Sequence, residues 1–233
     1  MILLALSCLQ GRTMKNAAEE LLELEPDGLQ LTPGCAPTAG FVEDLGARGI
    51  YTQTHHGFCE TALRRPVWDG ANLLVDADSV HPPLYREESE EMSAHHLRNM
   101  EWWKRARDEV WGSALEVMYD NYILGCGSDV RLAMQMCLPL AVDISHVEIQ
   151  LQKGQMPVDT WRLLQRYPLI AEVHVSESKH GKDVHAPISR KTPGLDWARE
   201  KMRSGTMVVL EAYMHKLTKD QRLEQLAILR GES

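Results

Sequence analysis

The 233-residue chain has no CxxC pair, no glycine-rich phosphate loop, no basic excess and no apolar run of membrane length. Each absence excludes something. The five cysteines, Cys8, Cys35, Cys59, Cys126 and Cys137, are odd in number and lack metal-clip spacing. That argues against a disulfide framework and a thiolate zinc site, and for a reducing cytoplasm. The net charge of −8 lacks the basic excess of a general nucleic-acid coat, although a small basic groove can sit on an acidic protein. The N-terminal run ILLALSCL has no basic n-region and is too short for a span. It reads as a first, buried strand, and no membrane partner is expected. The first turn after it, QGRT, carries neither GxGxxG nor a Walker loop, which speaks against an open nucleotide-binding sheet. With no linker, repeat or low-complexity segment, residues 1–233 are expected to form one domain.

What is present is an alternation of short apolar runs and helical stretches. Strands are expected at 2–8, 28–31, 50–54, somewhere in 71–81, and at 114–118, 138–144, 169–175 and 206–211. Helices are expected after Thr13, which is placed to cap TMKNAAEELLELE, and at 36–48, closed by Gly49. Others are expected at 87–111, 129–136, 158–166, 195–203 and 219–229. In the long 87–111 helix, Trp102 and Trp103 are read as packing against the barrel. SESKHGKD and SRKTPG are read as functional loops. Close to eight β/α units imply parallel strands with right-handed crossovers. The expected fold is α/β, a single (β/α)8 TIM barrel, somewhat below the usual ~250 residues.

The chemistry lies at the strand ends. His55 or His56, His81, Glu116, Asp143, His146, His174, Asp183, His185 and Glu211 mostly close apolar runs, in TQTHHGF, SVHPP, ALEVMYDN, PLAVDISHV, IAEVHVSES, GKDVHAP and TMVVLEAY. In a parallel barrel these ends converge on one mouth. His nitrogen and carboxylate oxygen without thiolate suit Zn, Mn, Fe(II) or Co. Glu116, Asp143 and Glu211 could instead be paired with core arginines, but three such cases on apolar strands favour ligation. Asp143-x-x-His146 places one residue at a strand end and the other in the loop beyond. Asp183-x-His185 puts two side chains on one side of an extended segment. His146, Asp183 and His185 stay open between metal ligation and substrate hydrogen bonding. Only one of the adjacent His55 and His56 can face the axis. His95, His96, His180 and His215 are assigned to helix surface or loop. Lys179, Lys182, Arg190 and Lys191 form a cationic segment that either holds a phosphate or carboxylate or is simply a solvated loop.

These segments together resemble the xylose-isomerase-like TIM-barrel superfamily, which includes sugar phosphate isomerases/epimerases and the apurinic endonuclease IV family. ALEVMYDN is similar to its strand-5 "LEN" segment, LAVDISH to "lDxxH", and VHVSESKHGKDVHAPI to the "HlxDs…D.H.p" segment. In the endonuclease branch the resemblance implies three metals. One would rest on His55 or His56, His81 and Glu116; a second on Glu116, Asp143, His174 and Glu211; the third on His146, Asp183 and His185. In the epimerase branch one metal is held by Glu116, Asp143, His174 and Glu211, the two glutamates moving a proton next to a sugar carbonyl. Two departures stand out. APISRKTPG replaces the endonucleases' glycine-rich segment, and QLTPG lacks the aromatic- or Asn-rich strand-2 loop of many epimerases. A third similar family comprises multi-iron barrel enzymes that oxidise cysteine-containing peptides.

The expected activity is therefore a divalent-metal-dependent isomerase or epimerase of a sugar or sugar phosphate, using one to three ions and a small-molecule substrate. A nucleic-acid phosphodiesterase and a peptide-modifying iron oxidase are the alternatives. Glu116 and Glu211 are the expected acid/base pair.

Overall fold

The computed structural model describes residues 1–31, 39–55, 78–82, 114–120, 122 and 124–232. The expected 87–111 helix with Trp102 and Trp103, His56, and the 71–77 segment lie outside the described residues. Eight strands run parallel: β1 (Ile2–Ala5), β2 (Gly28–Leu31), β3 (Tyr51–Thr54), β4 (Ser79–Val80), β5 (Ala114–Val117), β6 (Leu140–Asp143), β7 (Ile170–Val175) and β10 (Met207–Leu210). Their order is β3-β2-β1-β10-β7-β6-β5-β4. Among the described residues, one isolated parallel bridge, His55 to Ser79, joins the two outer edges. The result is the expected (β/α)8-type barrel, nearly closed. Strands β1, β2, β5 and β6 are buried along their whole length, as strands covered by helices outside and side chains inside must be.

Local sequence explains the elements. Thr13 caps α1 (Met14–Leu22) by accepting from the Asn16 N–H, as its sequence position suggested. The last helix, α7 (Lys219–Arg230), opens on a reciprocal capping box between Thr218 and Gln221. Between them lie α2 (Ala39–Ala47), α3 (Gly127–Gln135), α4 (Ile144–Gln152), α5 (Val158–Gln165) and α6 (Leu195–Arg203). At the base of β2 a side chain on Gly28 would meet the Tyr51 carbonyl at 2.5 Å and Leu3 at 2.9 Å, so only glycine lets β1, β2 and β3 draw this close.

Three expectations are corrected. The run expected as one strand over 2–8 breaks after Ala5 into a 3-10 helix, Leu6–Leu9. ISHVEIQLQ, left without an element, forms α4, so His146 sits in a helical first turn and not in a loop. The apolar and β-branched residues of that stretch mask the capping aspartate that starts it. SESKHGKD is not a loop: β8 (Glu177–Lys179) and β9 (Lys182–Ala186) pair as an antiparallel hairpin beside α4, turning through His180 and Gly181 with positive φ.

Candidate metal centre

Most of the candidate side chains are placed at or near the end of a barrel strand. His55 follows β3, its N–H bound to the Leu31 carbonyl at 2.8 Å, and Glu211 follows β10, its N–H bound to the Val175 carbonyl at 3.0 Å. Glu116 and His174 sit within β5 and β7. Asp143 ends β6 and caps α4, accepting from the N–H groups of Ser145 at 2.6 Å and His146 at 3.3 Å. Asp183 and His185 share one side of β9, with His185 Nε2 3.1 Å from Asp183 Oδ2. The hairpin returns to the mouth because the Tyr213 N–H binds the His185 carbonyl at 2.7 Å.

Glu116 is the hub. Its two oxygens lie 3.2 Å from His55, 2.8 Å from His81, 3.1 Å from His146 and 3.6 Å from His174. The side chain is fully buried, yet neither oxygen has a well-aligned hydrogen bond among the described residues. Carboxylate oxygens and imidazole nitrogens crowd the same space without meeting hydrogen-bond geometry, the arrangement expected of groups sharing a cation. Asp143 Oδ2, His174 Nδ1, Asp183 Oδ1 and His185 Nδ1 are likewise buried without a hydrogen bond among the described residues. Unpartnered buried polar atoms are costly, so the donor set fits a metal.

Among the described residues, four triplets could each hold an ion: His55, His174 and Glu211; His55, His81 and Glu116; Glu116, Asp143 and His146; Asp143, His185 and Glu211, with the donor atoms of each within 4.8 Å of one another. Ligands about 2.0–2.2 Å from a common ion stand up to about 4.4 Å apart, so little rearrangement would be needed. A further corner joins His146 Nε2 to Asp183 Oδ2 at 3.4 Å. The structure thus brings His55, His81, Glu116, Asp143, His146, His174, Asp183, His185 and Glu211 into one mouth. Lys179 and Lys182 are exposed where the hairpin turns. Arg190 does not reach the mouth: it is exposed, and its guanidinium donates to the Glu232 carbonyl at 3.0 Å, at the far end of the chain.

The electrostatics follow from crowding. Burial works against a charged Glu116, but His81 and His174 outweigh it and hold the carboxyl well below its usual range. Burial raises Asp143, aided by Glu116 and Glu211 and opposed by His146. Burial brings His81 down to about 4 despite Glu116, so this imidazole stays neutral and able to coordinate. For His146 and His174 burial is overcome by surrounding carboxylates, Asp143 and Glu211 foremost, and both rise well above 6.5. His185 rises to about 9, burial being outweighed by the Asp183 hydrogen bond. Without cations, protons on these imidazoles would balance the carboxylates.

Several residues had gone unnoticed in the sequence. Glu172 is buried on β7 and contacts His174 and Gln53. The strand alternation signals it: two residues before His174, it must share that residue's face. Gln30 and Gln53, lone amides in the GLQL and YTQT strands, are buried beneath the mouth. Tyr119, Tyr122 and Tyr213 form a half-buried rim. The Tyr119 hydroxyl is 3.5 Å from Asp183 and its ring centroid 4.7 Å from that of His146. The Tyr213 ring lies 4.9 Å from that of His185. No loop pattern announces them.

A parallel barrel with a buried histidine and carboxylate mouth is the class these features define. Among solved structures, the chain is similar to the crystal structure of AsfvAP:AG, an ASFV apurinic endonuclease, with a TM-score of 0.59 and 14% identity, over 99% of this chain and 98% of that one. No protein-family model matches the chain, and no curated protein matches it in sequence. At this identity the likeness speaks to the fold. Among the described residues no helix is long and apolar enough to cross a membrane.

Proposed function

We propose that the chain is a multinuclear metal-dependent phosphodiesterase acting on a nucleic-acid backbone. The observation that carries this reading is the continuity of the donor sets. They run from His55 and His81 through Glu116 and Asp143 to His146, Asp183 and His185. A single-metal isomerase would need only Glu116, Asp143, His174 and Glu211 as ligands and would leave Asp183 and His185 to hydrogen-bond its substrate, whereas a multinuclear site uses them as ligands too. The barrel's likeness to an apurinic endonuclease supports the same choice.

Glu116 would bridge two ions, His55 and His81 holding one side and His146 the other, with His174 and Glu211 beside it. Asp183 and His185 would complete the outer position together with His146. When bound, such ions activate water and neutralise charge developing on phosphoryl oxygens. The chain's own contribution is then orientation. Asp143 is fixed by two backbone N–H groups, and His146 by the first turn of α4. Tyr119 and Tyr213 present phenol hydroxyls and ring faces at the rim, suited to phosphate oxygens and unstacked bases. With a net charge of −8 and no basic excess, substrate capture would fall to the mouth itself.

The test is elemental analysis of anaerobically purified protein, paired with incision of a duplex oligonucleotide carrying one abasic site. The expected result is two or three equivalents of divalent metal and metal-dependent cleavage at that site. One equivalent with no cleavage would return the reading to the isomerase. Iron as the dominant metal, again with no cleavage, would favour the peptide oxidase.

A further inference from the structure

We propose that Glu172 is a positioning residue that decides which nitrogen of His174 faces the metal cluster. The inference rests on the reading that the mouth holds metal, and it concerns a residue outside every donor triplet described above.

Glu172 is fully buried, in the middle of the barrel sheet, paired with Ala141 on one side and Met207 on the other. A carboxylate at that depth is costly unless it is fully used. Its two oxygens are both engaged. Oε2 accepts from the Gln53 side-chain amide, and Oε1 lies 2.8 Å from His174 Nε2. A carboxylate only accepts, so the hydrogen of that contact belongs to the imidazole Nε2. Gln30 sits 3.5 Å from the same nitrogen, at the limit of hydrogen bonding, which makes Glu172 the shorter partner.

With Nε2 committed to Glu172, Nδ1 is the nitrogen left to give up its proton and offer a lone pair to an ion. Nδ1 is the atom that faces Glu116 at 3.6 Å and Glu211 at 3.5 Å, and it has no hydrogen bond among the described residues. The chain Gln53–Glu172–His174 thus reaches from β3 across the floor of the barrel to the mouth. It fixes the ring's tautomer and orientation, the role carboxylates play behind metal-binding histidines in general. Without it either nitrogen could hold the hydrogen, and the Nδ1–H form would close that coordination position.

The experiment uses the full chain stripped of metal, then titrated with Zn2+ alone. In the zinc-loaded wild type, nitrogen-15 NMR of the imidazoles is expected to show His174 protonated at Nε2 and without a proton on Nδ1. Glu172→Gln should weaken the tightest zinc binding by ~10–100-fold, while the melting temperature of the metal-free protein stays at or above the wild-type value. The activity of the loaded enzyme is not needed for either readout. A His174 protonated at Nδ1 in the zinc-loaded wild type overturns the proposal, whether or not the variant folds. So does a folded Glu172→Gln protein that binds zinc within about twofold of wild type. A wild type that binds no zinc overturns the metal reading itself, and this inference with it.

Discussion

The two arcs of the barrel are built from the same kind of short apolar strand, yet they equip the mouth differently. From β5 round to β10, the strands and the β8–β9 hairpin supply Glu116, Asp143, Glu172, Asp183 and Glu211, together with His146, His174 and His185. From β1 to β4 the described contributions are the imidazoles His55 and His81 and the amides Gln30 and Gln53. Where β1 ends, the chain turns into a 3-10 helix whose buried Cys8 thiol points at the Leu210 carbonyl. Burial, reinforced by Glu211, pushes that thiol far up, so it remains neutral. Among the described residues, all the negative charge of the mouth therefore stands on one arc. An anionic substrate approaching the cluster would meet less repulsion over the imidazole and amide arc, which leaves the other arc to hold cations.

Glu116 joins the arcs, so its loss should have the largest effect. Glu116→Gln keeps the shape of the side chain but removes the charge that four imidazoles surround. Activity is expected to fall at least ~100-fold, more than the loss of an outer partner usually costs, with at least one equivalent of metal lost. Wild-type turnover at full metal content would mean that the hub is structural and that the arcs function separately.

His185→Ala probes one arc alone. It leaves His55, His81 and Glu116 untouched while opening the Asp183 corner. Bound metal should drop by about one equivalent, with the fold intact by circular dichroism. If stoichiometry holds and only KM rises, the Asp183–His185 pair binds substrate instead, and the single-metal reading gains.

The protonation of this arc sharpens the contrast. His185 titrates at about 9 because Asp183 outweighs its burial, so in the metal-free chain it carries a proton at neutral pH. An ion must displace that proton to bind. Affinity at this corner should therefore rise between pH 7 and 9, by up to ~10-fold per unit for one displaced proton. Chelator competition at three pH values measures the slope. His185→Ala should remove this pH-dependent equivalent together with its ion, and a slope that survives the substitution would assign the proton to another imidazole.

The difference between the arcs also explains what could be read from the sequence. On β5, β6, β7 and β10, a polar group interrupting or closing ALEV, LAVD, IAEVHV and MVVL contradicts its apolar setting, and that contradiction is visible one strand at a time. Alternation could have exposed Glu172 as well, since it shares the inward face with His174, but a glutamate early in a strand resembles a solvent-facing residue. The other arc offers weaker signals. Strand β4 is two residues long, β3 is only partly buried, and Gln30 and Gln53 are neutral amides that disturb no pattern. The tyrosine rim was illegible because Tyr119 and Tyr213 lie in irregular turns, where ring placement depends on the Gln150 amide holding the Met118 and Leu124 carbonyls and on the hairpin's return.

The seam between the arcs is predicted to contribute the smallest effect. Glu20, on α1 after β1, accepts from Arg222, on α7 after β10, at 2.6 Å and from Arg12 at 3.1 Å. Arg222 is nearly buried and also donates to the Met214 carbonyl. The Arg222 hydrogen bond holds the Glu20 carboxyl below its ordinary value of 4.5. A carboxyl lowered by folding stabilises the fold above its unfolded value, and that contribution fades as pH falls through the folded one. Glu20→Gln should thus lower the melting temperature at pH 7 by about 2–4 °C or less, since such a partly exposed pair contributes about 1 kcal/mol at most. The gap between variant and wild type should close as pH falls from 5 toward 3. A gap that persists at pH 3 would show that Glu20 ties the arcs together by shape and not by charge.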